Sequence, residues 1–240
     1  MSTEAFTKEN LDACLKELGK EYRKRSGTAI PAEIILVGGA SILANYGFRD
    51  VTYDVDAVIM ASSVMKEAVN RVSDKLGLPN GWLNMDFKRT SSYSDKLVEV
   101  SVYYKTFSNV LTVRTITAEY LIAMKLVSGR RYKNDLSDVA GILWEHERNG
   151  KPISREAIYK AVTVLYGGWE SITPVAKELI QAAFESGDYE KLYLSSRENE
   201  KLSKEILLDF ERDYPGELKG ENIEAIIEKA RQRRGDIDAN

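Results

Sequence analysis

The chain has 240 residues, of which 43% are hydrophobic and 30% are charged, a composition typical of a globular protein with one large domain or two modest ones. Its 34 basic and 37 acidic residues give a net charge of −3, so the chain is not a polycation that binds nucleic acid through its overall charge. One cysteine excludes an internal disulfide, and one histidine excludes sites that need several imidazoles, so zinc is not expected.

The sequence carries no signal that directs it to a membrane. No apolar run approaches the roughly 18–20 residues of a membrane span. The first ten residues lack the basic and apolar regions of a signal peptide. We therefore expect a cytoplasmic location.

The first part of the chain mixes the periods of helices and strands. Apolar residues recur at helical spacing in some stretches and alternate with polar residues in others. In chain order we predict a helix over 7–25, a strand over 33–37, a short helix over 40–46, a strand over 52–60, a helix over 62–77, a loop or short strand over 82–87, and strands over 96–104 and 109–114. This order predicts a small mixed sheet flanked by helices.

A glycine pair follows the strand over 33–37. Gly38 and Gly39 allow backbone amides to approach a ligand without a Cβ in the way, and Ser41 opens the next helix. Backbone donors at a helix N-terminus, together with the positive end of the helix dipole, favour phosphate. Gly38, Gly39 and Ser41 are therefore candidates for phosphate binding.

Two aspartates flank a valine in the next predicted strand. Alternate side chains of a strand share a face, so Asp54 and Asp56 are predicted to point the same way. A divalent cation would relieve their repulsion, and magnesium takes one or two carboxylates while leaving positions open for substrate phosphates. A glycine turn or an Asp-x-Asp alone is often a plain turn or a solvated strand edge. Their occurrence in this order is more specific and predicts a metal-dependent phosphate site.

Glu99 lies in the predicted strand over 96–104, on the face opposite Val98 and Val100. It is a candidate third carboxylate for the metal. The alternative interpretation is an exposed strand glutamate.

From Thr117 onward the pattern is helical. The helix over 117–129 carries Lys125 as a single cation in an apolar stretch, which either extends to the surface or points into a polar site. The helix over 135–147 places Asp135 and Asp138 one turn apart on one face. Between these two helices, the basic cluster over 130–133 can contact phosphates.

After residue 149 the strand patterns end. Further amphipathic helices are predicted over 154–166, 171–186, 188–213 and 221–234. We therefore predict an α+β fold in two parts, an α/β core with an N-terminal helix over 1–115 and a helical domain over 116–240.

These residues resemble the nucleotidyltransferases of the polymerase-β-like fold, whose signature is a strand, Gly-Ser or Gly-Gly, a short helix, and a strand carrying Asp-x-Asp or Glu. Gly38-Gly39-Ala40-Ser41 and Asp54-Val55-Asp56 match that signature in order and spacing. More narrowly, Gly47-Phe48-Arg49, Thr52-x-Asp54-x-Asp56 and the stretches over 119–125 and 131–138 are similar to uncharacterised families related to AbiEii-type toxins. The resemblance covers residues 33–143 and does not extend to the C-terminal helices.

The resemblance implies transfer of a nucleoside monophosphate from a nucleoside triphosphate to a hydroxyl of RNA, tRNA included, or of protein, with pyrophosphate leaving. It implies Mg²⁺ or Mn²⁺ as cofactor and, as toxin, a cognate antitoxin as partner. Its catalytic residues would be Asp54, Asp56, Lys125 as the phosphate counter-charge, and Asp135 or Asp138. Its metal ligands would be Asp54, Asp56 and Glu99, and its nucleotide-binding residues Gly38, Gly39, Ser41, Arg49, Thr52 and Arg131.

Two other functions remain open. Glycosyltransferases also use Asp-x-Asp with a metal, although they normally place a longer nucleotide-binding sheet before it, and only one strand and a short helix precede Asp54. A non-catalytic nucleotide-binding or interaction protein would keep the fold without the chemistry. A dinucleotide-binding domain is not favoured because Gly38-Gly39 lacks the third glycine and the long βαβ unit.

Overall fold

The structure, a computed structural model, describes residues 5–238 of the chain, with side chains through residue 232. Within this range the helices are α1 (Lys8–Ser26), α2 (Gly38–Asn45), α3 (Val64–Leu76), α4 (Ala118–Ser128), α5 (Asp135–Arg148), α6 (Arg155–Tyr166), α7 (Pro174–Ser186), α8 (Tyr189–Asp213) and α9 (Ile223–Asp238). The strands are β1 (Ala32–Leu36), β2 (Val55–Met60), β3 (Leu83–Asn84), β4 (Ser101–Phe107) and β5 (Leu111–Ile116). Short 3-10 helices span Asp86–Arg89, Asp95–Val98 and Trp169–Ser171. The predicted α+β class, with a mixed sheet and a helical C-terminal part, is confirmed.

The sheet has the strand order β3-β2-β1-β5-β4. β1 runs antiparallel to β2 and parallel to β5, while β4 pairs antiparallel with β5 and β3 pairs parallel with β2. Leu36 at the end of β1 pairs with Ala57 near the start of β2, and the Val37 N–H donates to the Asp56 carbonyl at 3.0 Å. The glycine turn after β1 and the aspartates at the start of β2 therefore meet at one edge of the sheet.

Each face of the sheet packs against its own hydrophobic core. Ile34 contributes to a core with α1 and α3, and Ile35, on the opposite face, contributes to a core with α4 to α7. Helices α4 to α7 thus share a hydrophobic core with one face of the sheet, while the division into parts over 1–115 and 116–240 stays a prediction. In the part of the chain that is described, each helix is too short or too polar to cross a lipid bilayer.

Several predicted strands begin later than expected, and the differences are largest for β2 and β4. β2 begins at Val55 because Thr52 forms an isolated antiparallel bridge with Phe6 ahead of the first helix. The prediction of a strand over 96–104 is wrong in its first half, where Asp95–Val98 form a 3-10 helix. There the Ser101 hydroxyl donates to the Val98 carbonyl at 2.7 Å, and such local side-chain bonds compete with strand pairing.

Candidate functional site

A cavity of about 510 Å³ opens at the sheet edge where β1 ends and β2 begins. Its lining includes the β1–α2 turn, the start of β2, residues after β3, the end of α4, the α4–α5 loop and one residue of α8. Four of the predicted nucleotide-binding residues and four of the predicted catalytic residues line it, namely Gly38, Gly39, Arg49 and Thr52, and Asp54, Asp56, Lys125 and Asp135. The tertiary structure therefore brings most of the predicted site together.

The glycine turn is shaped by the backbone and by two neighbouring side chains. Gly38 has a φ of +52°, a conformation that side-chain-bearing residues disfavour. A Cβ on Gly39 would lie 2.7 Å from Thr52 Oγ1 and 2.9 Å from Arg49 Nη2, so only glycine lets these side chains pack on the turn. Because the first N–H groups of α2 have no acceptor within the helix, they are available to an anion in the cavity.

Substitution of Gly39 by alanine is expected to displace Thr52 or Arg49 and to lower the free energy of unfolding by about 1–3 kcal/mol through overpacking. Because the displaced groups line the cavity, nucleotide affinity should fall by about tenfold. Urea unfolding and calorimetric titration check the two effects. The control is Gly220→Ala, since a Cβ there meets no heavy atom within 4 Å. A Gly39→Ala protein that binds nucleotide as tightly as the control would contradict the role of this turn.

Asp54 immediately precedes β2, and Asp56 is the second residue of the strand. The Asp54 side chain is exposed, whereas Asp56 is partly buried. The buried Thr52 donates its hydroxyl to the Asp54 carbonyl at 3.2 Å, which fixes the backbone ahead of the strand. Both carboxylates line the cavity beside the glycine turn.

Asp86, which the sequence analysis missed, also lines the cavity. It begins a 3-10 helix just after β3, and the register of β3 beside β2 pairs Asn84 with Asp56. Burial, together with the charges of Asp54 and Asp86, raises the pKa of Asp56 to about 6 against the opposing effect of Arg130 and Lys125. None of these three aspartates forms an ion pair with another residue that the structure describes.

This donor set fits a divalent cation that substrate completes. Among the residues that the structure describes, no three Asp, Glu, His or Cys side chains converge closely enough to hold a metal by themselves. Magnesium needs only one or two carboxylates when substrate phosphates supply further oxygens. Asp54 and Asp56 would then be its protein ligands.

Four predicted site residues do not line the cavity, namely Glu99, Ser41, Arg131 and Asp138, and Asp138 belongs instead to the buried group of charges described below. Glu99 is exposed and follows the 3-10 helix that replaces the expected strand, so it does not join the aspartates. Ser41 is fully buried, and its hydroxyl accepts the Ile116 N–H at 3.1 Å, because a serine two positions beyond the glycine pair points into the α2–β5 contact. The Arg131 guanidinium lies 2.9 Å from Glu228 of α9 and therefore points away from the site.

A buried group of charges joins α4 to α5 behind the cavity. Lys125 Nζ lies 2.8 Å from Asp135 Oδ1 and 2.8 Å from Asp138 Oδ2. Arg49 Nη1 donates to Asp138 Oδ2 at 2.5 Å, and Arg130 Nε donates to Asp135 Oδ2 at 2.7 Å. Asp135 is fully buried and Asp138 is 2% exposed.

The pairing keeps these groups charged despite their burial. Burial alone would raise the pKa of Asp135, but Lys125 and Arg130 outweigh it and hold that pKa well below its usual range. Burial would likewise lower the pKa of Lys125, but Asp135 and Asp138 raise it. Since two carboxylates already neutralise Lys125, it has less positive charge to offer a ligand than the sequence analysis assumed.

The N-terminus of α5 is capped from another helix. Asn134, at the N-cap position, makes no side-chain capping bond. Instead Glu200 Oε1 of α8 accepts the N–H groups of Leu136 and Ser137 at 2.8 and 3.1 Å. Glu200 is only 5% exposed, and its Oε2 is buried without a hydrogen-bond partner. No local pattern in the sequence predicts this contact, because it depends on the packing of α8 along α5.

Burial raises the pKa of Glu200 to about 8, against the opposing hydrogen bonds from Ser137 and Leu136. Because this pKa lies above that of an ordinary glutamate, the folded state binds an extra proton between pH 4.5 and 8 and loses stability as the pH rises through that range. One proton gives a slope of up to about 1.4 kcal/mol per pH unit. Glu200→Gln keeps an acceptor for both N–H groups but does not titrate, so urea unfolding from pH 5 to 8 should show a shallower slope. An unchanged slope would contradict this titration.

The comparisons with known proteins add a family assignment. No curated protein and no solved structure matches the chain. The sequence profile of the family described as Nucleotidyltransferase of unknown function (DUF6036) matches residues 13–146, which is more than half of the chain. The match contains the glycine turn, both aspartates of β2 and the charged group between α4 and α5. The chain therefore belongs to this nucleotidyltransferase family.

Proposed function

We propose that this protein is a magnesium-dependent nucleotidyltransferase that moves a nucleoside monophosphate from a nucleoside triphosphate to a hydroxyl of RNA or protein. One observation carries the proposal: Asp54 and Asp56 meet the Gly38-Gly39 turn at one sheet edge, inside a single cavity. Carboxylates for a cation and backbone amides for phosphate are the two elements that this reaction requires. The family assignment supports the same chemistry at the coarse level.

The reaction forms a bond from the acceptor oxygen to the α-phosphorus and breaks the bond to the β-phosphate oxygen, releasing pyrophosphate and a proton. A magnesium ion, when bound, supplies charge neutralisation at the phosphate oxygens. Asp54 and Asp56 would hold it. The N–H groups of Gly38 and Gly39 would donate to the triphosphate, and Thr52 and Arg49 would hold the turn in place. Positioning and charge neutralisation supply most of the rate in such transfers.

We also propose that the activity serves as the toxin of a toxin–antitoxin or abortive-infection system in the cytoplasm, with a cognate antitoxin as partner. The resemblance of the stretches over 47–56, 119–125 and 131–138 to AbiEii-type families supports this role. Expression of the wild-type chain should arrest bacterial growth, and expression of Asp54→Asn with Asp56→Asn should not. Equal growth of the two strains would contradict the toxin role.

Labelling identifies the nucleotide and the acceptor together. The purified protein is incubated with cell extract, with Mg²⁺ or Mn²⁺, and with each labelled nucleoside triphosphate in turn. We expect label in RNA or in protein with the wild type and none with Asp54→Asn plus Asp56→Asn. Label that persists in the double variant, or no label with either metal, would contradict the proposal.

A second candidate is a nucleotide-binding protein that has lost the chemistry. It is favoured by the position of Glu99 outside the cavity and by the neutralisation of Lys125 within the chain. This candidate predicts magnesium-dependent nucleotide binding by calorimetry with no incorporation of label. Incorporation of label that depends on Asp54 and Asp56 excludes it.

A further inference from the structure

We propose that Lys204 of α8, together with Lys133, binds the terminal phosphates of the nucleoside triphosphate. The inference rests on the proposed function and adds a substrate contact from a helix beyond the family match, which ends at residue 146. Lys204 lines the same cavity as Asp54 and Asp56.

The charge distribution of the cavity singles out these two lysines. The other cations in its lining, Arg49, Lys125 and Arg130, are already paired with the buried carboxylates of α5 at 2.5–2.8 Å. Lys133 and Lys204 have no ion-pair partner among the residues that the structure describes. The cavity thus holds uncompensated positive charge at the α4–α5 loop and at α8.

α8 is fixed so that Lys204 faces the cavity. Glu200 lies one turn earlier on the same side of the helix and is bound to the start of α5. Between them, Ser203 is fully buried and accepts a hydrogen bond from Arg231 of α9 at 2.8 Å. Arg231 also donates to the Asn199 carbonyl at 3.0 Å. α8 is therefore held by α5 through Glu200 and by α9 through Arg231. The Lys204 side chain stays exposed and can reach a ligand.

The charges in the cavity lining match those of a triphosphate with a bound divalent cation. One divalent cation at Asp54 and Asp56 offsets only part of the charge of a triphosphate, so the phosphates farthest from it need further cations. The ammonium group of lysine is a compact point charge that binds phosphate with charge-assisted hydrogen bonds. Lys133 and Lys204 belong to the same cavity lining as Asp54 and Asp56, so a polyphosphate held by the cation at these carboxylates shares the cavity with both lysines.

The test compares Lys204→Gln with a matched control on the same helix. Lys201→Gln removes an exposed lysine three residues earlier, outside the cavity lining. Wild type and both variants are titrated calorimetrically with each nucleoside triphosphate, diphosphate and monophosphate in the presence of magnesium. We expect Lys204→Gln to weaken triphosphate binding by about tenfold or more, diphosphate binding less, and monophosphate binding not at all. Lys201→Gln should match the wild type, and Lys204→Arg should recover most of the affinity.

The outcomes distinguish a failure of this inference from a failure of the proposed function. An equal loss for all three nucleotides would show that Lys204 contacts another part of the nucleotide, and would overturn the inference. The inference is also overturned if Lys204→Gln binds triphosphate as tightly as the wild type does. If Asp54→Asn with Asp56→Asn abolishes binding in the same experiment, the proposed function stands. If the wild type binds no triphosphate with magnesium, both fall. Circular dichroism and thermal melting of Lys204→Gln confirm that it is folded.

Discussion

Replacement of Lys125 by methionine is expected to lower the free energy of unfolding by about 3–5 kcal/mol, the usual cost of removing one partner of a buried ion pair. Lys125 lies 2.8 Å from carboxylate oxygens of both Asp135 and Asp138. Without it, these two buried carboxylates keep only one arginine each, Arg130 for Asp135 and Arg49 for Asp138. Because methionine preserves the length and packing of the side chain, the decrease in the free energy of unfolding measures the effect of removing the positive charge.

Urea unfolding at neutral pH measures this change, with Lys66→Met on the exposed face of α3 as the control. The control is expected to change stability by at most about 0.5 kcal/mol, the usual range for surface substitutions. A loss of less than about 1 kcal/mol for Lys125→Met would mean that the two arginines suffice to compensate the carboxylates.

Replacement of Asp56 by asparagine is expected to separate stability from function. The pKa of Asp56 is raised to about 6, so ionisation of this carboxyl destabilises the folded state. The free energy of unfolding therefore falls as the pH rises from about 4 to about 6 and stays lower above that. Asparagine mimics the protonated carboxyl and should make the magnesium-free protein more stable by roughly 1–2 kcal/mol at pH 8. Incorporation of nucleotide should meanwhile fall by about 100-fold or more, since a ligand of the cation is lost.

Thermal melting with and without magnesium, together with the labelling assay, checks both halves of this prediction. Magnesium should raise the melting temperature of the wild type and leave that of Asp56→Asn unchanged. Asp74→Asn, an exposed position of α3, is the matched control and should behave as the wild type. Retained labelling in Asp56→Asn would remove Asp56 from the site.

Lys125 and Lys204 differ in how much of their position in the site could be predicted from local sequence. Lys125 drew attention as a lone cation in an apolar helix, and the structure places it at the cavity, but its two carboxylate partners decide how much charge it can offer. Lys204 has no such local signal, since it is one of many lysines on a charged helix. Its place in the cavity depends on how α8 packs along α5.

The sequence by itself determined the parts of the protein that depend on near neighbours. Helical and strand periods predicted the α+β class, and the order of the glycine pair and the aspartates predicted a metal-dependent phosphate site. Tertiary structure alone decided the contributions that come from distant segments. Asp86 reaches the cavity through the register of β3, Glu99 leaves it through a 3-10 helix, and Glu200 and Lys204 reach the site on α8. Their positions follow from long-range pairing and burial, which no local period or spacing encodes.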